Sequence, residues 1–93
     1  MNALKELLKN PSTTVVDVRS PWEYESGHIP GALNIPVETV AQELPAFRAF
    51  KGPIVLYCRS GNRSGMATTL LKQHGLTNVH NGGSYDDMQS FLR

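Results

Sequence analysis

Apolar positions fall along the chain in short blocks whose spacing switches between helical and extended, with Pro and Gly set between them. Ala3, Leu4, Leu7 and Leu8 share one helical face, and that pattern stops before Pro11. Thr13 to Val18 is short and β-branched, which predicts a buried strand. Ser20 then offers a helix cap, Pro21 suits the first helical position, and Glu23 closes a capping box. Gly27 and Pro30 keep that helix short. Ala32 to Ile35 reads as a brief second strand. Pro36 opens a helical pattern with Val37, Val40, Ala41 and Leu44 on one face, kinked or restarted by Pro45 ahead of Ala46 to Phe50.

Pro53 to Tyr57 is the most apolar run in the chain and predicts a buried central strand. Met66, Ala67, Leu70, Leu71 and His74 recur with helical period, and Gly75 is the expected stop. Asn78 to His80 predicts a last strand, Gly82-Gly83 a turn, and Ser84 the start of a final helix. Asp86 and Asp87 lie near its positive end, with Met88, Phe91 and Leu92 as its apolar face. Strands and helices alternate. The pattern predicts an α/β fold with a mainly parallel sheet of four to five strands, covered by helices on both faces.

Ninety-three residues, 40% of them hydrophobic and 18% charged, suit a single globular domain over residues 1–93. The net charge of +1 gives no basic stripe, which argues against nucleic-acid binding. No apolar run approaches the roughly 18 residues of a membrane span. Lys5 and Glu6 stand where a secretory signal would be apolar, so a cytoplasmic location is expected. A single cysteine, Cys58, permits no internal disulfide and no cysteine-cluster metal site.

That cysteine opens the informative segment, Cys58-Arg59-Ser60-Gly61-Asn62-Arg63-Ser64-Gly65, between the apolar strand and a helix. Ligands of open α/β sheets bind at this end of the strands. Gly61 and Gly65 permit turns closed to other residues, and such a loop can aim successive N–H groups inward beside a helix N-terminus. Arg59 and Arg63 add positive charge, and the segment contains no acid. Each feature favours a negative charge at the loop centre, and the Cys58 thiolate can supply it. A lone cysteine is commonly an inert small hydrophobe, but a polar, glycine-rich, cationic loop is a poor place for inert packing. Neither nucleotide-binding glycine motif is present. Arg63 could instead pair with a surface acid. Asp17, Arg19 and Glu23 read as a salt-bridge network pinning the first strand to the short helix. His28 reads as a hydrogen-bonded structural residue, His74 and His80 as ordinary, and Trp22 as a packing anchor.

Two segments together resemble the rhodanese family of sulfurtransferases. Val16 to Pro36, with Asp17-Val18-Arg19-Ser20-Pro21-Trp22-Glu23-Tyr24 and Gly27-His28-Ile29-Pro30-Gly31-Ala32, is similar to the family's N-terminal signature. Val55 to Ser64 resembles its active-site loop, and Gly82-Gly83 a weaker element near the C-terminus. The resemblance implies a three-layer α/β/α sandwich. It implies that Cys58 carries a sulfane sulfur as a persulfide, that the amides of Arg59, Ser60, Gly61, Asn62, Arg63 and Ser64 form a cradle, and that the Arg59 and Arg63 side chains face an anionic donor. A small anionic sulfur donor such as thiosulfate, and cyanide, a thiol or an unidentified protein as acceptor, are the implied partners, with no metal or organic cofactor. The family's frequent tryptophan after the Gly-Gly pair is Asp87 here.

Two rival readings come from other classes. Cysteine phosphatases of related fold also set a thiolate in an arginine-closed loop, but with one residue more than the Arg59-Ser60-Gly61-Asn62 spacer. The loop has no acid to protonate a leaving alcohol. A non-catalytic binding or sulfur-carrier module is the other rival, disfavoured by a complete loop that keeps its cysteine.

Overall fold

The computed structural model describes residues 3–93. Helix α1 (Ala3–Lys9) leads into strand β1 (Thr14–Asp17), followed by α2 (Pro21–Glu25) and β2 (Leu33–Asn34). A 3₁₀ turn at Val37–Thr39 precedes α3 (Leu44–Ala49), then come β3 (Ile54–Cys58), α4 (Asn62–Gln73), β4 (Val79–Ser84) and α5 (Tyr85–Phe91). The four strands pair in the order β2-β1-β3-β4, and every pairing is parallel. The α/β expectation therefore holds, with four strands. Among the described residues no helix is long and apolar enough to cross a membrane.

The strand period of two sorts the core into two halves. Ile54, Leu56 and Cys58 of β3 join Val16, Val18, Phe47, Ala67, Leu71 and Val79 on the face covered by α3 and α4. Val55 and Tyr57 point the other way, onto Met88, with Leu4, Leu7, Leu8 and Phe91 of α1 and α5 packed against them. All five residues of β3 are buried, as a central parallel strand requires. Cys58 thus belongs to the α4 side of the sheet although its neighbour Tyr57 belongs to the other.

Several local expectations need correction. The helical pattern after Pro36 is a 3₁₀ turn, and Ala41 is exposed; Pro45 enters the first turn of a new helix, where its missing N–H costs nothing. Met66 and Leu92, counted on apolar helix faces, are 63% and 47% exposed. Gly82-Gly83 is no turn. β4 runs through it with an irregularity, so that Leu56 pairs with Asn81 and Tyr57 with Gly83, leaving Gly82 as the extra residue. Gly82 is buried, and a Cβ there would lie 2.7 Å from Met88 Sδ and 2.9 Å from Val55 Cγ1. Close packing, not chain reversal, explains that glycine.

Candidate active site

Cys58 ends β3, and α4 begins four residues later at Asn62, so its sulfur lies at the helix N-terminus. Gly61 is the N-cap residue with φ +96°, a left-handed conformation that favours glycine. That turn directs the Gly61 N–H at Cys58 Sγ, at 3.0 Å. The Ser64 N–H lies at 3.4 Å and the Ser64 hydroxyl at 3.5 Å. Cys58 and Ser64 are both fully buried. Burial pushes the thiol up, but the hydrogen bonds from Ser64 and from the N–H groups of Ser60 and Gly61 outweigh it, leaving the thiol below its ordinary value. The Ser64 hydroxyl has one proton and a shorter contact elsewhere, so the backbone amides are the firmer part of this cradle.

That shorter contact is to Asn81, whose Oδ1 accepts from Ser64 Oγ at 2.7 Å and from the Gly83 N–H at 3.0 Å. Its Nδ2 donates to the Gly61 carbonyl at 3.2 Å. Asn81 lies two residues after Val79 on the α4 face of β4, and it ties both ends of the loop to the sheet. A Cβ on Gly65 would stand 3.3 Å from Asn81 Nδ2, and one on Gly61 3.4 Å from Gly83 Cα. Sequence reasoning missed Asn81; an asparagine before two glycines carries no local signal beyond a turn.

The loop side chains divide. Arg59, Ser60 and Asn62 are exposed. Arg63 is gripped by Glu23, with Nη1 to Oε1 at 2.8 Å and Nη2 to Oε2 at 3.1 Å. This is the acid-paired alternative for Arg63. Glu23 Oε1 also accepts from the Ser20 N–H and hydroxyl, at 3.1 and 2.9 Å. Arg63, with help from Ser20, holds the Glu23 carboxyl at about 2 against the opposition of burial.

The expected Asp17–Arg19–Glu23 network is therefore two separate units. Asp17 accepts from Arg19 at 2.7 Å and from the Tyr57 hydroxyl at 2.7 Å, and Tyr57 in turn accepts the Ile29 N–H at 3.0 Å. Arg19 Nη2 also donates to the Gly27 carbonyl at 2.6 Å. This unit holds the turn after α2 to the sheet, while Glu23 serves the loop. His28 accepts its structural role, its Nδ1 2.9 Å from the Tyr24 carbonyl and its ring stacked on Tyr24. Trp22 is not a packing anchor: it is 68% exposed, because the five-residue helix α2 turns Glu23 inward instead. Trp22 lines a concavity of about 420 Å³ beside the loop, together with Arg59, Tyr85 and Asp86. Asp87 takes no part there; it closes the capping box of α5, its N–H donating to Ser84 Oγ at 3.0 Å and its Oδ2 accepting from the Ser84 N–H at 3.3 Å.

This arrangement can hold a sulfur anion. Among the described residues no three His, Cys, Asp or Glu side chains gather as metal ligands. The family profile described as "Rhodanese-like domain" matches residues 1–89. The chain is 43% identical over 67 residues to the uncharacterized protein YqhL of Bacillus subtilis, covering 72% of this chain and 52% of that protein. It is 36% identical over 74 residues to the thiosulfate sulfurtransferase PspE of Escherichia coli, covering 78% and 71%. A tRNA uridine(34) hydroxylase of Hamiltonella defensa is 37% identical over 82 residues, covering 83% of this chain but 23% of that protein. The chain thus spans about half the length of YqhL and under a quarter of the hydroxylase. The solved structure of the human single-domain sulfurtransferase TSTD1 matches with a TM-score of 0.78 at 35% identity, covering 94% of this chain and 89% of that one.

Proposed function

The chain belongs to the rhodanese-like domain family, and from that premise we propose that it is a sulfurtransferase of the thiosulfate type working through a Cys58 persulfide. The Cys58 thiolate attacks the outer sulfur of the donor. The S–S bond of thiosulfate breaks and sulfite leaves with its electron pair. The outer sulfur stays on Cys58 until a thiol or cyanide attacks it, which returns the thiolate. The observation that carries this reading is the set of N–H groups converging on Cys58 Sγ, with Gly61 at 3.0 Å and Ser64 at 3.4 Å. Those donors favour the anion before reaction, and the persulfide anion afterwards needs the same ones.

A phosphatase is the weaker reading: only Arg59, Ser60, Gly61 and Asn62 separate Cys58 from Arg63, one residue fewer than in the phosphatase loop, and no acid lies among them to protonate a leaving alcohol. Relatives include both a thiosulfate sulfurtransferase and tRNA hydroxylases, so the donor and acceptor are part of the proposal. Cyanide serves as acceptor in an assay and a cellular thiol or protein in a reducing, cytoplasmic setting. We propose further that residues 1–93 act as one domain, with Cys58 as nucleophile and residues 59–64 as the donor-binding cradle.

Intact mass after incubation with thiosulfate tests the reading. The protein should gain the mass of one sulfur atom, lost again on adding cyanide. Cys58→Ser should show neither the gain nor turnover. Sulfur transfer by the serine variant at the wild-type rate, or aryl phosphate hydrolysis well above sulfur transfer, would overturn it.

A further inference from the structure

The two loop arginines stand in different electrostatic states. Arg59 is exposed and, among the described residues, makes no ion pair; the Glu23 and Asp86 carboxylates line the same concavity without pairing with it. Arg63 is bound by both oxygens of Glu23, which is itself buried and fastened to the Ser20 backbone at the start of α2. Both partners are anchored, one in α2 and one in the first turn of α4. A cation tied this closely to an anion exerts little net field beyond the pair. The loop therefore offers an incoming donor one uncompensated cation, where its sequence contains two.

We propose that Glu23 is a positioning residue that sets donor specificity: by cancelling the charge of Arg63 it leaves Arg59 alone to face the donor, so that the site favours an organic persulfide with at most one negative charge over the dianion thiosulfate. This rests on the sulfurtransferase reading. The chemistry is common to both donors. The thiolate attacks the outer sulfur, the donor S–S bond breaks, and the leaving group takes the electron pair. From a protonated persulfide RSSH that leaving group is the thiolate RS⁻, and the proton stays on the transferred sulfur until the new persulfide ionises. Thiosulfate brings two charges to a loop that neutralises one.

Alkylation of Cys58 reads the loop charge without sulfur transfer. The rate with anionic iodoacetate is divided by the rate with neutral iodoacetamide, at a pH where the thiol is ionised, in wild type, Glu23→Gln, Arg63→Ala and the double variant. Glu23→Gln keeps a carbonyl oxygen for Ser20 and frees the Arg63 charge, so the ratio should rise about three- to tenfold at low salt and fall back at high salt. The double variant should return near wild type, and Arg63→Ala alone should lower the ratio no more than Glu23→Gln raises it. The thiosulfate KM should fall more in Glu23→Gln than the KM for cysteine persulfide does, a split that a purely structural role would not produce. An unchanged or lowered ratio in folded Glu23→Gln overturns the proposal. If that variant does not fold, a ratio in the double variant tenfold or more below wild type overturns it, since Arg63 would then act beyond the charge that Glu23 cancels. A shifted ratio in a protein that moves no sulfur would support the charge assignment and count against the function proposed above.

Discussion

The Ser64 hydroxyl donates to Asn81 Oδ1 at 2.7 Å while standing 3.5 Å from Cys58 Sγ, so a single side chain joins the sulfur to the edge strand β4. Asn81 completes the link by donating to the Gly61 carbonyl, on the same residue whose N–H points at the sulfur. The orientation of the cradle is thus shared between α4 and a strand that supplies no group to the sulfur itself.

Asn81→Ala should loosen that cradle. The Cys58 pKa should rise toward its ordinary value as the amides lose their aim. kcat/KM for sulfur transfer should fall about tenfold, the cost of a small misplacement of a reacting group. The pH profile of iodoacetamide alkylation checks the first and thiosulfate kinetics the second. An unchanged alkylation profile would remove Asn81 from the account of the thiolate.

Glu23 gives the fold an acid sensitivity. Its carboxyl is held at about 2 against an ordinary 4.5, first by the Arg63 guanidinium. A carboxyl lowered in the folded state adds stability above its unfolded pKa and loses it as pH falls through the folded one. The contribution is therefore whole above pH 4.5 and fades toward pH 2. Arg63 is one-third exposed, so solvent screening reduces the pair to about 1 kcal/mol. Urea unfolding should find Glu23→Gln less stable than wild type by that amount near neutral pH, with the gap closing in acid. A gap that ignores pH would assign the loss to packing.

Tyr57→Phe should separate stability from chemistry. The hydroxyl is buried between Asp17 Oδ2 and the Ile29 N–H, so its loss leaves a buried donor unpaired. The expected cost is about 2 kcal/mol, or about 10 °C in Tm for a domain of this size. Tyr57 faces α5 while Cys58 faces α4, so Cys58 alkylation of the folded variant should match wild type.

Gly82→Ala tests the reading of β4. The added methyl would meet Met88 Sδ and Val55 Cγ1 at under 3.0 Å, an overpacking that costs about 1–3 kcal/mol. A calorimetric Tm equal to that of wild type would show that the strand yields there without cost.

The alternation of elements was legible in the amino-acid sequence because periodicity and caps are local. Ser20-Pro21-Trp22-Glu23 and Ser84-Tyr85-Asp86-Asp87 mark their helix starts within four residues, and the apolar run to Tyr57 marks the central strand. The candidate loop opened by Cys58 stood out for the same reason: thiol, glycines and arginines lie together in one segment. Trp22 misled, since a large aromatic next to a buried Glu23 looks like the anchor and is not.

What only the tertiary structure decided lies between distant segments. Glu23 and Arg63 are 40 residues apart, and Asn81 lies 17 residues from Ser64. Whether those side chains meet depends on the parallel register of β4 on β3, shifted by the extra Gly82, and on the angle at which α2 approaches α4. A hydrogen bond needs its partners placed within a few tenths of an ångström. Hydrophobic patterning selects which face of an element is buried, and it carries no information at that resolution about which polar group stands opposite.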